Sequence, residues 1–129
     1  FSKLVLGYDG QTTVTNRHYT FWQTLDSVNL VRAWKAVACP VLSMYGEFDV
    51  AALDADAMEG IARIVDHYHP GHGTFLLVPD TDHGLARVKS KEHKLKLQTS
   101  GEYWPHLQQH FNTDYAEILH EWMEEIMLP

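Results

Sequence analysis

The sequence predicts an α/β fold in which a short parallel sheet carries helices on both faces. Two compact apolar runs, Val41-Leu-Ser-Met-Tyr45 and Thr74-Phe-Leu-Leu-Val78, are bounded by proline or glycine. Neither alternates polar with apolar residues, which suits central strands covered on both sides. Between them, residues 53–69 place Ala57, Met58, Ile61, Ile64, Val65 and Tyr68 on one helical stripe. Strand, helix and strand over about forty residues make a βαβ unit with parallel strands. Its crossover is expected to be right-handed.

The remaining elements follow in chain order. Lys3-Leu-Val-Leu-Gly7 reads as a short strand, Tyr8-Asp-Gly10 as a turn, and Thr12-Thr-Val-Thr15 as extended backbone. From Tyr19 the pattern is helical, with Phe21, Trp22 and Leu25 at three- and four-residue spacing. Val28, Leu30, Val31 and Trp34 continue it across a break at Asp26-Ser27. Tyr19, Phe21, Trp22 and Trp34 suit either ordinary core or the lining of an apolar substrate pocket. Pro40 ends this region, and Cys39 before it reads as a small buried hydrophobe. The central helix takes Asp54 and Asp56 in its first turn, where the dipole favours acids, and Pro70-Gly71 stops it. Residues 79–110 read as a loop. Within it, Arg87–Lys96 holds five basic residues and reads as a solvated surface segment. Asp114 is placed to cap a last helix, with Glu117 three residues on. Tyr115, Ile118, Leu119, Trp122, Met123 and Ile126 are its expected buried stripe.

Composition narrows the function classes. With 129 residues the chain is one domain's worth, and no composition shift marks a second domain. Residues 1–35 form a helical lead-in, and residues 36–129 hold the βαβ unit and the C-terminal helix. Apolar residues at 45% and charged residues at 21% indicate a globular chain, not a disordered one. A formal charge of −7 repels phosphate backbones and argues against nucleic acid as a partner. No apolar run is long enough to span a bilayer, and no signal-peptide layout is present. One cysteine forms no intrachain disulfide and leaves the compartment open. The chain begins at Phe1 and not Met, so it is expected to be a piece of something longer.

Chemistry is expected at the carboxyl edge of the sheet, where ligands bind in open α/β folds. One strand delivers Gly46-Glu-Phe-Asp49 there and the other delivers Pro79-Asp-Thr-Asp-His-Gly84. Neighbouring strands lie roughly 5 Å apart, so their exit loops can bring Asp49 and His83 into contact. A carboxylate on one imidazole nitrogen fixes the tautomer and leaves the other nitrogen to take a proton. Glu47 competes for the same role, but on a strand exit the two acids point to opposite sides. Asp80 and Asp82 are expected to shape the turn. A purely structural reading of the pair stays open: Asp49 caps the next helix, and His83 is a loop histidine with a local partner. His67, His69 and His72 read as a helix C-terminus favoured by the dipole, not as a metal site. His106 and His110 lack the glutamate of a zinc-protease helix and read as a surface face.

"CPVLSMYGEFD" followed by "TFLLVPDTDHG" resembles the C-terminal half of an α/β-hydrolase. In that family the strand before the catalytic acid commonly leads into Gly-Glu-x-Asp. The last strand ends in a loop carrying Asp-His or Gly-His, and the chain order is nucleophile, acid, histidine. The resemblance covers residues 17–129 and implies a three-layer fold, with residues 1–35 derived from a lid. It implies Asp49 as the triad acid and His83 as the triad base of a serine hydrolase acting on ester, amide or peptide bonds. The substrate would be a small-molecule or peptide acyl compound, and no metal or organic cofactor is implied. The sequence departs from the family in one respect: Gly-x-Ser-x-Gly is absent. Ser43 lies inside a strand, and Ser2, Ser27, Ser90 and Ser100 lack glycines at that spacing. The early oxyanion-hole loop is absent too. The isolated chain is therefore expected to be inactive. Relatives with an aspartate nucleophile leave the reaction class open. A non-catalytic interaction module on the same scaffold is the alternative. A severed sheet would expose an apolar strand edge, which predicts self-association.

Overall fold

The computed structural model describes residues 13–14, 17–51 and 54–127. The strand expected at 3–7 and the turn at 8–10 lie outside the described residues. The chain divides into two compact units, Phe1–Ala36 and Val37–Pro129.

In the first unit, β1 (Thr13–Val14) and β2 (Arg17–His18) form a short antiparallel pair. Helix α1 (Tyr19–Asp26) starts at His18, whose Nδ1 accepts the Thr20 N–H at 3.4 Å. Helix α2 (Leu30–Lys35) starts at Asn29, whose side chain accepts the Arg32 N–H at 2.8 Å. The break between them falls at Ser27, whose hydroxyl donates to the Thr24 carbonyl. Phe21 is exposed, and Tyr19, Trp22 and Trp34 are half-buried. The ordinary-core reading of these aromatics is therefore corrected. Helices of eight and six residues leave none of the four fully enclosed.

In the second unit, β3 (Val41–Gly46) and β4 (Gly73–Val78) run parallel, with Val41 opposite Gly73 and Gly46 opposite Val78. Their crossover helix is α3 (Ala55–Tyr68). Asp54 precedes its first turn and caps it, accepting the Ala57 N–H at 2.9 Å. The Ser43 hydroxyl donates to the Met58 carbonyl at 2.8 Å, so α3 covers the face that carries Ser43 and its partner Phe75. Side chains alternate along a strand, so Thr74 faces the other way. It accepts the Trp122 indole N–H at 3.3 Å, which places α6 (Asp114–Met127) against that second face. The unit is thus mixed α/β, with a two-stranded parallel sheet flanked by helices. Tyr45, Ala62, Val65 and Val78 are its buried apolar residues around the sheet and α3.

Four expectations are corrected here. Residues 79–110 are not a plain loop, because they contain α4 (Lys91–Ser100) and α5 (Tyr103–Gln109). Helix α4 buries only Lys94 and Leu97, too short a stripe to show as periodicity. Its caps carried the signal: Ser90 accepts the His93 N–H at 3.1 Å, and Gly101 closes the helix at φ 78°. The basic run is not wholly solvated either, since Lys94 is 3% exposed. The expected stripe of α6 is not buried, as Leu119, Met123 and Ile126 are exposed. Two strands about 5 Å apart give a face too narrow to cover it. Cys39 is an exposed free thiol, because the β3–β4 ladder begins only at Val41.

Helices α4 and α5 pack on the loop that leaves β4. Ala86, Val88 and Leu97 form a buried cluster there, with Phe48, Tyr103 and Leu107 against it. Among the described residues, no helix is long and apolar enough to cross a membrane.

Candidate active site

Each residue of Gly46-Glu-Phe-Asp49 has a separate physical task. A Cβ at Gly46 would sit 2.6 Å from the Thr81 carbonyl oxygen, so only glycine lets the two exit loops approach this closely. The Glu47 carboxylate accepts the Asp80 N–H at 3.0 Å. The backbone N–H groups of Glu47 and Phe48 donate to the Val78 and Thr81 carbonyls, both at 2.9 Å. The Phe48 side chain packs on the cluster beneath α4 and α5. These contacts fasten the β3 loop to the β4 loop independently of Asp49 and His83.

The fastened loops bring Asp49 and His83 together. Asp49 Oδ2 lies 2.9 Å from His83 Nδ1. Asp49 Oδ1 accepts the Ala51 N–H at 2.7 Å, which fixes the carboxylate from its other side. The Asp49 side chain is 5% exposed and the His83 ring 57% exposed, so a buried acid orients an open base. With a carboxylate as acceptor, the Nδ1 proton stays between the two groups. The Nε2 lone pair is then available to a hydroxyl placed about 3 Å away. Tyr45 lies alongside, its hydroxyl donating to the Asp49 backbone carbonyl at 3.3 Å. Burial, then the charge of Asp49, pushes the hydroxyl pKa up at both Tyr45 and Tyr115. Both phenols therefore stay neutral beside the carboxylate.

The His83 loop is held from below by a buried ion pair. Asp82 is 1% exposed and pairs with Lys94 of α4, which is 3% exposed. The other oxygen of Asp82 accepts the N–H groups of Gly84 and Ala86, both at 2.9 Å. The Lys94 ammonium lies 3.3 Å from the centre of the Tyr103 ring. Burial chiefly pushes the Tyr103 hydroxyl pKa up, with Lys94 opposing and Asp82 reinforcing the shift. Leu85 adopts φ 65° and Asp80 φ 51°, conformations that cost about 1–2 kcal/mol for a side-chain-bearing residue. Leu85 is pinned there, since its N–H donates to Asp82 and its carbonyl accepts from Asn112 at 2.7 Å. Buried Asn112 also donates to the Thr81 hydroxyl at 2.6 Å and accepts the Asp114 N–H at 3.1 Å. Asn112 thereby ties the start of α6 to the loop. Asp114 is itself inside the helix, with its carboxylate on Arg87 at 2.6 Å, not in the capping role expected of it.

Sequence reasoning missed Lys94, Tyr103 and Asn112 as supports of this loop. The only local signal was Asp82 beside His83, read correctly as a turn-shaping residue but without its cation. His67, His69 and His72 stay at the end of α3, and no group of three or more metal-ligating side chains among the described residues is arranged to hold an ion. His106 and His110 are not a bare surface face. They line a pocket with His93, which the sequence reading did not connect to them. No protein-family model, curated protein or solved structure matches the chain.

Proposed function

We propose that the chain supplies the acid and the base of a serine-hydrolase triad on an α/β-hydrolase-like scaffold. The single observation behind this reading is the Asp49–His83 pair at the carboxyl ends of adjacent parallel strands, with the acid buried and the imidazole open. In this mechanism a serine held outside the chain attacks the carbonyl of an ester, amide or peptide. His83 Nε2 takes its proton and returns it to the leaving group, and Asp49 stabilises the imidazolium that forms in between. Glu47 takes no part, because its carboxylate is engaged by the Asp80 N–H.

The open sheet supports the same reading. Among the described residues β3 and β4 pair only with each other, which leaves one edge of each strand unpaired. Parallel sheets this small are normally part of larger ones. Further strands on one of those edges would bring the nucleophile. Without them, the isolated chain is expected to self-associate along the open edge. Sedimentation velocity should show a dimer or larger species, and a monodisperse monomer at high concentration would count against the edge as a pairing surface.

A serine-directed fluorophosphonate tests the reading. It should label the whole protein at one serine outside residues 1–129 and leave the isolated chain unlabelled. Absence of label on the whole protein would remove the serine-hydrolase assignment and favour a non-catalytic module instead.

A further inference from the structure

A second cluster of titratable groups lies away from the Asp49–His83 pair. Asp80, Arg87, Lys89, His93, His106 and His110 line a pocket of about 550 Å³ beside α4 and α5. His93 and His106 meet edge to face at 5.4 Å between ring centres, and His106 and His110 lie 4.4 Å apart. Two of the rings have fixed tautomers. The Lys89 N–H donates to His93 Nδ1 at 3.2 Å, so the neutral His93 carries its proton on Nε2. His106 Nε2 donates to the Arg87 carbonyl at 2.8 Å, so Nδ1 is where a second proton binds.

The charges around these rings are unbalanced. Arg87 is matched by Asp114 of α6. Lys89 has no carboxylate partner among the described residues. Desolvation first, then His106, Lys89, Lys96 and His110, hold the His93 pKa below its ordinary value. The groups facing His93 are therefore Lys89 and Lys96 around α4, His106 and His110 from α5 and its end, and Arg87 and Asp80 from the β4 loop. Among the described lining residues Asp80 is the one carboxylate, set against Arg87 and Lys89. This excess of positive charge favours an anion in the pocket, and among the described residues no group of three or more metal-ligating side chains is arranged to hold an ion.

We propose that this pocket is a binding site for a small phosphate ester, held more tightly as pH falls through the histidine range. Lys89, His93, His106 and His110 line one volume from different segments of the chain, and lysine and imidazole N–H groups suit a tetrahedral oxyanion with charge-assisted bonds. A bare oxyanion occupies a small part of a volume that is in the range of small-molecule sites. The organic part of the ester fills the remainder, where Asp80 accepts its hydroxyl or N–H groups. This inference does not depend on the hydrolase reading, because Asp49 and His83 are not among the residues that line the pocket.

Titration of the chain with inorganic sulfate, whose charge is constant with pH, isolates protonation of the protein. The histidine Cε1–H resonances should report saturable binding at His93, His106 and His110 near pH 5.5. At pH 8, above the ordinary histidine range, affinity should fall at least about tenfold. Lys89→Ala, at an exposed position, and His93→Gln should each weaken binding about tenfold. Glycerol phosphate should compete with sulfate, and acetate should not. Non-saturating shifts, equal shifts at all histidines, pH-independent affinity, or unchanged affinity in Lys89→Ala would overturn the proposal. Equal binding of acetate would overturn the phosphate class.

Discussion

If the proposed triad operates in the whole protein, replacing His83 with alanine is expected to lower kcat/KM for a nitrophenyl ester about a millionfold. Asp49→Asn is expected to cost about ten-thousandfold, because the amide donates where the carboxylate accepts and turns the imidazole to the wrong tautomer. The two losses should not add, since both residues act on one proton. Stability should change little in His83→Ala. The ring is 57% exposed, and its hydrogen bond to Asp49 Oδ2 is one that water can replace. Turnover of His83→Ala at the wild-type rate, with an unchanged unfolding midpoint, would sink the assignment of His83 as base.

Lys94→Met is expected to lose about 3–5 kcal/mol of stability, measured by urea unfolding. The substitution keeps the shape of the aliphatic stem but leaves the Asp82 carboxylate 1% exposed without its cation. That is a large share of the total stability of a domain, which is about 5–15 kcal/mol. Asp82→Asn combined with Lys94→Met should recover most of the loss. Asparagine keeps an acceptor for the Gly84 and Ala86 N–H groups while removing the buried charge. If Lys94→Met were as stable as wild type, the ion pair would not hold the His83 loop. If the double variant were as unstable as the single one, the damage would come from packing around Tyr103 and not from charge.

The parts of this structure that were legible in the sequence depend on local repetition. The two strands were visible because each is apolar on both faces, and α3 because its stripe runs for four turns. The Asp49–His83 pair was legible for a related reason. Parallel strands place their exits on one edge, and loops of a few residues have little freedom there. The choice of Asp49 over Glu47 has a physical basis in the other acid's contact: Glu47 reaches across to the Asp80 N–H.

What was not legible depends on remote partners. Lys94 sits in a basic run, and its burial follows from Asp82 and Tyr103, twelve and nine residues away in the chain. Helices α4 and α5 bury too few residues to show a period, although Ser90 and Gly101 mark the ends of α4. Exposure of Leu119, Met123 and Ile126 follows from how many strands lie beneath α6, which the helix sequence cannot encode. The contact among His93, His106 and His110 arises because α4 and α5 turn back on each other at Gly101. Spacing along the chain connects only the last two.

The claim that Asp49 is the acid that holds His83 can be tested on the chain itself by proton NMR of the His83 Nδ1–H. The resonance should be downfield and protected from exchange in the wild type and in Glu47→Gln, and absent in Asp49→Asn. Loss of that resonance in Glu47→Gln, or its survival in Asp49→Asn, would contradict the pairing on which the proposed chemistry rests.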